Sequence, residues 1–227
     1  MSSATQTASG LRFRVKALGP ACVLLLLSSA HALDVTTVVE GLQRRYASVE
    51  TVIGNFRQTY RAPGMDQAES GTFWLKKPGL MRWEYRSPEE KLFVADGRES
   101  FLYVPEDHQV TVQPLRASDL RSTPLDLFWG GDISRNFTAS WEKEFSPQRE
   151  RTCQIRLTPR RRETEYAFLV LELDSQTYDL RRILIREASG NTSEFFFTNV
   201  TENASIRRDA FQFKAPKGVE IIRLQHE

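Results

Sequence analysis

The sequence predicts a mainly β protein of the α+β class, in which a long antiparallel meander curls into a barrel or half-barrel and carries a few helical segments. From Val52 onward, short runs rich in Phe, Tyr, Trp, Val and Thr recur at spacings of about ten residues. Turn sequences such as Lys77-Pro78-Gly79 and Ser189-Gly190-Asn191 separate these runs. The pattern lacks the regular alternation of strands with long helices that a parallel sheet needs. We therefore expect one antiparallel sheet of about 11 strands.

The first 32 residues have the features of a secretory signal peptide. Basic residues come first, an apolar run over residues 17–27 follows, and small residues at Ala30 and Ala32 end the segment. The run is shorter than the roughly 20 residues that a transmembrane helix needs. No cysteine stands at the predicted cleavage site to accept a lipid. We predict cleavage after Ala32 and, in a bacterium, export to the periplasm. The basic residues are Arg12, Arg14 and Lys16.

Removal of this segment changes the charge and the cysteine content of the chain. All 227 residues together carry a net charge of +2, but residues 1–32 hold three basic and no acidic side chains. The predicted mature chain of 195 residues therefore has 28 basic and 29 acidic side chains and a net charge of −1. It loses the basic character that would suggest a nucleic-acid partner, and its single Cys153 allows no intramolecular disulfide. With no linker or repeat, residues 33–227 are predicted to form one domain.

The mature chain is predicted to begin with an amphipathic helix over residues 34–49. Asp34 is a suitable N-cap, and apolar residues then recur at the spacing of a single helical stripe. The helix is therefore expected to lie on an apolar surface. The stripe consists of Val35, Val38, Val39, Leu42, Tyr46 and Val49.

The strands are predicted in the order in which turn residues divide the chain. They are expected near residues 52–60, 70–76, 79–86, 91–95, 99–104, 108–113, 137–145, 152–158, 165–173, 180–187 and 192–201, with a closing pair near 211–213 and 219–223.

A short apolar helical turn interrupts the strands near residues 123–129. Thr123 and Pro124 supply a start signal and Gly130-Gly131 a stop signal. Its Leu125 and Phe128 need an apolar surface to cover or to be covered by.

Sequence motifs for catalysis or metal binding are absent. His108 and His226, the two histidines of the predicted mature chain, have no metal-ligand spacing to each other or to Cys153. The chain also lacks a nucleophile elbow, a zinc-protease motif, a phosphate loop and a Cys-x-x-Cys pair. We expect no enzyme, no metal and no cofactor. A secreted hydrolase with dispersed carboxylates stays open as an alternative.

Large apolar side chains alternate along two strands that the Lys77-Pro78-Gly79 turn joins. Phe73 and Leu75 share one face of the first strand, and Met81, Trp83 and Tyr85 share one face of the second. A curved sheet could use such a face to line a cavity, and an ordinary packed core fits the pattern equally well.

The stretch from Gly71 to Tyr85, which reads GTFWLKKPGLMRWEY, resembles the signature hairpin of the LolA-type outer-membrane lipoprotein carrier proteins of Gram-negative bacteria. Further matches follow the family's order. They are Phe56-Arg57-Gln58, residues 92–97, Tyr103-Val104-Pro105, Thr123-Pro124-Leu125 and residues 211–219.

The resemblance implies an unclosed antiparallel β-barrel with a helical lid over an apolar cavity that holds the acyl chains of a lipoprotein. An inner-membrane ABC release complex would be the donor, an outer-membrane lipoprotein receptor the acceptor, and the carrier is expected to be a monomer. The family commonly has Arg before the proline of the hairpin turn, where it contacts the lid. Lys77 stands there in this chain, so we expect a weaker lid latch. The candidate cavity residues are Val38, Leu42, Phe73, Leu75, Met81, Trp83, Leu125 and Phe128.

Two alternatives lie within the same fold. The acceptor resembles the carrier but is normally anchored by a lipid, and the missing cysteine at the cleavage site argues against it. The second alternative is a LolA-like module that senses lipids or lipoproteins in envelope stress or serves another lipid pathway.

Overall fold

A computed structural model of the protein describes residues 34–115, 132–161 and 166–224. The predicted signal peptide and the predicted turn over 123–129, with Leu125 and Phe128, lie outside these residues. The helices are α1 (Val35–Ala47), α2 (Ile133–Asn136) and a 3-10 turn (Arg208–Phe211). The strands are β1 (Thr51–Ala62), β2 (Met65–Lys76), β3 (Leu80–Ser87), β4 (Lys91–Ala95), β5 (Glu99–Val104), β6 (Gln109–Pro114), β7 (Phe137–Trp141), β8 (Thr152–Pro159), β9 (Tyr166–Asp174), β10 (Leu180–Glu187), β11 (Thr192–Glu202) and β12 (Glu220–Arg223).

The twelve strands of the described residues all belong to one sheet, in the order β12-β6-β5-β4-β3-β2-β1-β11-β10-β9-β8-β7. Two meanders, β1 to β6 and β7 to β11, are joined where β1 pairs antiparallel with β11. The strands β12 and β7 end the sheet and do not pair with each other. The prediction of an unclosed antiparallel barrel is therefore confirmed, with twelve strands in place of about 11.

The predicted strand at 211–213 is wrong. The 3-10 turn occupies its first residue, because Phe211 packs with Leu80 and Ile206 in a second apolar cluster on the outer face of the sheet. Phe213 then stacks on Phe101, with 5.3 Å between the ring centroids. The chain therefore crosses the outer face, and β12 pairs parallel with β6 at the sheet edge.

The strand β7 is shorter than the predicted 137–145, because the carboxylate of Glu142 turns the chain away. It accepts hydrogen bonds from the backbone N–H groups of residues 143, 144 and 145. The Arg156 guanidinium also donates to both of its oxygens, at 2.8 and 3.0 Å. Burial favours the neutral acid, but these donors outweigh it and lower the pKa of Glu142 to about 2.

The main core lies between the inner face of the sheet and α1. Four residues of the predicted helical stripe, Val38, Val39, Leu42 and Tyr46, are buried on the side of α1 that faces the sheet. Of the other two, Val35 is half-buried and Val49 lies beyond the end of the helix at Ala47. Strand β9 is apolar on both faces, and one of these faces packs in the inner core. In β9, Leu169, Leu171 and Leu173 belong to the inner core.

A buried ion-pair network holds the chain after β7 against the outer face of the second meander. Arg182 on β10 pairs with Glu172 on β9, at 2.8 Å, and with Glu194 on β11. Glu172 also accepts hydrogen bonds from the backbone N–H groups of Gln148 and Arg149. Every charge in this network is thus paired, as burial requires.

Glu172→Gln removes the central charge of this network and turns an amide N–H toward backbone groups that also donate. We expect the free energy of unfolding to fall by about 3–5 kcal/mol, because Arg182 keeps a buried charge with a lost partner. Urea unfolding at neutral pH measures the change.

The control is Glu40→Gln, which breaks an exposed pair with Arg44 whose side chains are 59% and 67% exposed. It should change the stability by no more than about 0.5 kcal/mol. Equal effects of the two substitutions would show that the buried network does not stabilise the fold.

Candidate functional site

Six aromatic rings from four neighbouring strands form a cluster on the inner face of the sheet. Phe56 of β1 lies 4.8 Å from Trp83 and 4.9 Å from Tyr85, both edge to face. Phe73 of β2 stacks on Trp83 at 5.1 Å. Phe195 and Phe197 of β11 close the group, the first against Trp83 at 5.9 Å and the second against Phe73 at 5.3 Å. We call these rings the aromatic cluster.

Two glycines make room for the cluster within β1 and β2. Gly54 is paired across the strands with Phe73, and Gly71 with Phe56, so each ring lies over the glycine opposite. A Cβ atom on Gly54 would stand 2.8 Å from the Phe73 ring. A Cβ atom on Gly71 would stand 1.8 Å from the carbonyl oxygen of Glu84 in β3. Only glycine fits this second position without a shift of the backbone.

The structure brings all six described cavity candidates into one buried group. Phe73 pairs with Trp83 and Leu75 with Met81 across the β2–β3 hairpin. Val38 and Leu42 cover this face from α1, and the six side chains belong to the same core. None of the six lines either of the two grooves described below. The face is therefore closed by α1 in this conformation.

Lys77 contacts the last turn of α1, where the sequence places the lid latch. Its Nζ donates to the carbonyl oxygen of Tyr46 at 3.1 Å and to that of Ala47 at 3.4 Å. A cation next to the last carbonyls of a helix is favoured by the helix dipole. The predicted position of Lys77 beside the helix is thus observed, and its role in release stays a prediction.

Further polar contacts attach the same end of α1 to the second meander. Arg45 pairs with Asp179 at 2.9 Å and donates to Glu202 at 2.8 Å. The Tyr46 hydroxyl accepts a hydrogen bond from the N–H of Leu180 at 3.0 Å. Burial raises the pKa of Tyr46 to about 12, so the hydroxyl stays neutral in this contact.

Two grooves flank the two ends of α1. A groove of about 740 Å³, the α1–β7 groove, lies beside the N-terminal end of the helix. Its lining residues are Asp34, Val35, Ala139, Ser140, Trp141, Lys143, Glu144 and Arg156. A more polar groove of about 410 Å³ lies beside the C-terminal end, between Arg45, Asp179 and Glu202.

Sequence reasoning missed three members of the aromatic cluster, Phe56, Phe195 and Phe197. Phe56 was visible as part of a family motif but had no assigned face. The run Phe195-Phe196-Phe197 gives no alternation from which to choose a face, and the structure turns Phe196 outward toward Arg182.

The described residues contain no cluster of side chains that could hold a metal ion. Nowhere in residues 34–115, 132–161 and 166–224 do three or more His, Cys, Asp or Glu side chains gather as a metal site would require. No helix among them has the length and apolar character needed to cross a bilayer. What these residues do form is an open half-barrel whose apolar, aromatic inner face is covered by a separate helix.

Comparison with known proteins identifies the family. The family described as outer membrane lipoprotein carrier protein LolA matches residues 47–214. The chain is 32% identical over 201 residues to the outer-membrane lipoprotein carrier protein of Hahella chejuensis, a match that covers 87% of this chain and 93% of the relative. It is 31% identical over 190 residues to that of Bordetella pertussis, covering 83% and 87%.

The fold also has a counterpart among solved structures. The crystal structure of an uncharacterized conserved protein from Thermus thermophilus superposes with a TM-score of 0.53 at 10% identity, covering 83% of this chain and 98% of that one. The chain thus belongs to the LolA family of outer-membrane lipoprotein carrier proteins. The resemblance seen in the hairpin from Gly71 to Tyr85 is confirmed, and the family is one of carriers, not of enzymes.

Gly71→Ala should destabilise the protein by about 3 kcal/mol or more, because the new methyl group meets backbone and not a movable side chain. Urea unfolding and the near-ultraviolet circular dichroism of the aromatic cluster measure the loss.

Ser70→Ala, one residue earlier on the same strand, is the control and should change stability by about 0.5 kcal/mol or less. A Gly71→Ala protein as stable as the wild type would mean that β2 and β3 do not approach as closely as the structure has them.

Proposed function

We propose that this protein is a periplasmic carrier that binds the acyl chains of outer-membrane lipoproteins between α1 and the inner face of the sheet. The observation that carries the proposal is the inner face itself. It holds six aromatic rings and the apolar residues Leu75 and Met81, and α1 covers it through the apolar stripe that includes Val38 and Leu42. An acyl chain can take the place of α1 on this face, because hydrophobic contacts are not directional.

The energetic need for such a carrier is large. An acyl chain has on the order of 15 methylene groups, and each costs about 0.8 kcal/mol when exposed to water. Transfer of one unprotected chain through an aqueous compartment therefore costs on the order of 10 kcal/mol. A protein that diffuses between two membranes must bury the chain for the whole journey.

The closed inner face implies that loading includes a movement of α1. The core between helix and sheet is filled by side chains, so an acyl chain has to replace the contacts of α1. The free energy gained when the acyl chain is buried is offset by the free energy lost when α1 gives up its contacts with the sheet. This balance gives binding that is firm yet reversible, which suits delivery to an acceptor.

The expected exchange partners follow from the carrier role. We propose that an inner-membrane ABC complex loads the protein and that an outer-membrane lipoprotein receptor unloads it. No phosphate-binding loop is present in the sequence, so energy for release from the inner membrane would come from the donor.

We also propose that residues 1–32 are a cleaved signal peptide, that residues 33–227 form one domain, and that the carrier works as a monomer.

The direct test is to identify what the protein carries. The chain with a C-terminal affinity tag is purified from the periplasm, and bound molecules are identified by intact-mass spectrometry. Triacylated lipoproteins are the expected result. Recovery of free glycolipid would point to another lipid pathway, and recovery of no lipid at all, together with failure to bind an acylated probe, would contradict the proposal.

Met81→Glu should impair loading, because it puts a carboxylate into the apolar space where the acyl chain is proposed to lie. We expect the affinity for a fluorescent acylated probe to fall more than about tenfold. Trp83→Glu should act in the same way, and Met81→Gln provides a neutral variant if the charged ones do not fold.

The matched control for this pair is Arg86→Glu, on the same strand β3, where the side chain is exposed. Circular dichroism shows that each variant is folded. Unchanged probe affinity in folded Met81→Glu and Trp83→Glu would place the acyl chain elsewhere.

Lys77→Leu should slow the release of bound lipoprotein to an acceptor, because the closed position of α1 loses both hydrogen bonds from Nζ. Stability should change by only about 1 kcal/mol, the usual contribution of such bonds. Transfer of a radiolabelled lipoprotein to outer-membrane vesicles measures the release.

Lys77→Arg restores the cation and adds donors in a planar fork, so it should release at least as fast as the wild type. Equal release rates for the leucine and the wild-type proteins would reject a latch role for Lys77.

A further inference from the structure

The strand β7 lies at one border of the sheet, and β8 is its only partner among the described strands. The N–H of Glu142 donates to the carbonyl oxygen of Gln154 at 3.1 Å, and the carbonyl oxygen of Asn136 accepts from the N–H of Arg160 at 2.9 Å. Hydrogen-bonded positions alternate along an antiparallel strand. The even-numbered residues of β7 therefore bond to β8, and the odd-numbered residues direct their N–H and C=O groups away from the sheet.

The free edge of β7 is closed at its start and open at its end. The N–H of Phe137 donates to the carbonyl oxygen of Ile133 in α2, and its own carbonyl oxygen accepts from the Arg160 guanidinium at 3.1 Å. The edge-facing N–H and C=O groups of Ala139 and Trp141, in contrast, make no hydrogen bond within the part of the chain that the structure describes. These two residues thus present the donors and acceptors of a strand that lacks its neighbour.

The α1–β7 groove runs along this open edge. Of its lining residues, Ala139 and Trp141 lie on the inner side of β7, since their partners in β8 belong to the inner core. Ser140 lies between them on the outer side, with Arg156 as its partner in β8. A groove that is lined from both sides of a strand follows the edge of that strand and not either of its faces. The unpaired backbone groups of β7 therefore border the groove.

An open strand edge selects a different kind of ligand from the one that the inner face selects. An acyl chain is held by burial of its methylene groups and has no use for a row of backbone donors and acceptors. An extended polypeptide matches such an edge, because its own N–H and C=O groups complete the pairing and its side chains fill the space beside the strand. The indole of Trp141, which is 37% exposed, offers one such side chain an apolar contact.

The groove is continuous with the proposed acyl site. Val35 and Ala139 line the groove and also pack against the inner core, to which Val38 and Leu42 of α1 belong. A lipoprotein carries its acyl chains on its first residue, so its polypeptide must leave the acyl site from one point. A polypeptide that leaves beside Val35 meets the open edge of β7 directly.

We propose that the α1–β7 groove binds the polypeptide that follows the acylated first residue of a lipoprotein, and that this polypeptide adds to the edge of β7 as an extended strand. The inference rests on the proposed carrier function for the identity of the ligand. The backbone groups of Ala139 and Trp141 bond to the added strand. Pairing through the main chain depends little on sequence, so one groove serves lipoproteins that differ in their first residues.

Amide hydrogen exchange, followed by NMR on the protein purified from the periplasm, tests the pairing directly. The probe is a synthetic lipopeptide whose N-terminal cysteine carries palmitoyl chains and is followed by about ten residues, enough to span the edge. We expect exchange at Ala139 and Trp141 to slow by at least about tenfold when the probe binds, because both N–H groups become hydrogen-bonded. Unchanged exchange at both residues with the probe bound would overturn the proposal.

The edge of β12, at the other border of the sheet, provides the matched control. Glu220 and Leu224 each donate to a carbonyl oxygen of the β6 segment at 2.9 Å, so the N–H of Ile221 faces away from the sheet. Its exchange should not respond to the lipopeptide. Protection of Ala139 and Trp141 in the absence of any probe would show that the chain itself, or a second copy of it, already occupies the edge of β7. That result would also overturn the proposal.

Ala139→Pro removes one edge-facing N–H and keeps the bonds to β8, since an edge strand tolerates proline where its N–H faces outward. The affinity for the lipopeptide should fall at least about fivefold. The affinity for cysteine that carries palmitoyl chains but no peptide should change by about twofold or less, and the control Ile221→Pro should alter neither affinity by more than this. An equal loss for both probes would assign the groove to the acyl chain, and no loss for the lipopeptide would remove the role of the edge.

Modified probes make the same test with the unaltered protein. N-methyl groups at alternate residues of the lipopeptide block the amides that face β7 in one phase and the amides that face away in the other. One phase should weaken binding at least about fivefold and the other by about twofold or less. Equal effects of the two phases would overturn the added strand, whether or not Ala139→Pro folds.

Failure of the carrier function gives a different result from failure of this inference. A wild-type protein that binds neither the palmitoylated cysteine nor the lipopeptide would contradict the carrier function and the inference together. A wild-type protein that binds both probes with equal affinity, and whose exchange at Ala139 and Trp141 does not change, would contradict the added strand and leave the carrier function in place.

Discussion

The fold depends on the need to cover an apolar sheet face that the sheet does not cover itself. The strands β7 and β12 do not meet, so the inner face cannot be enclosed by a complete ring of strands. The aromatic cluster on that face would expose a large apolar area to water, which is unfavourable roughly in proportion to its extent. α1 supplies the cover, and its buried residues belong to the same core as the aromatic cluster. The position of the helix, the burial of the six cavity candidates and the proposed carrier role all follow from this requirement.

The two faces of the sheet are covered by different chemistry. On the outer face, Arg182, Glu172 and Glu194 attach the chain after β7 through directional, buried ion pairs, and the segment that ends in Phe211 and Phe213 packs on the other meander. Such contacts specify one geometry and are costly to break. On the inner face, Val38, Val39 and Leu42 of α1 pack on the sheet through apolar contacts. The outer cover is thus held by directional contacts, and the proposed carrier function requires that the inner cover be replaceable.

Much of this architecture is readable from the sequence, and the exceptions have physical causes. The apolar residues of α1 recur with the period of a helix. Those of the hairpin, Phe73, Leu75, Met81 and Trp83, recur with the period of a strand. The buried face of each element was therefore predictable. Strands β1 to β11 correspond to predicted strands because turn residues separate them. The faces of Phe195 and Phe197 were not predictable, since three consecutive phenylalanines have no period.

Tertiary contacts decide the remaining differences. The end of β7 depends on the Glu142 carboxylate, whose partner Arg156 is distant in sequence. The 3-10 turn at Phe211 depends on an apolar site made by Leu80 and Ile206. Within the candidate site, the hairpin motif predicted that Phe73, Leu75, Met81 and Trp83 share the inner face and that Lys77 lies beside α1. The attachment of α1 through Arg45 and Asp179 carries no local sequence signal.

The pairing of β1 with β11 also has a consequence for how the chain folds. Val52 lies beside Glu202 in the middle of the sheet, so the central strand pair joins residues from nearly opposite ends of the described chain. The first meander can form early from local hairpins, but its β1 edge has no partner until β11 has been made. Contacts of such long range slow folding, and an unpaired apolar edge invites association with other chains. Until β11 pairs with it, the β1 edge is therefore the part of the fold most open to association with other chains.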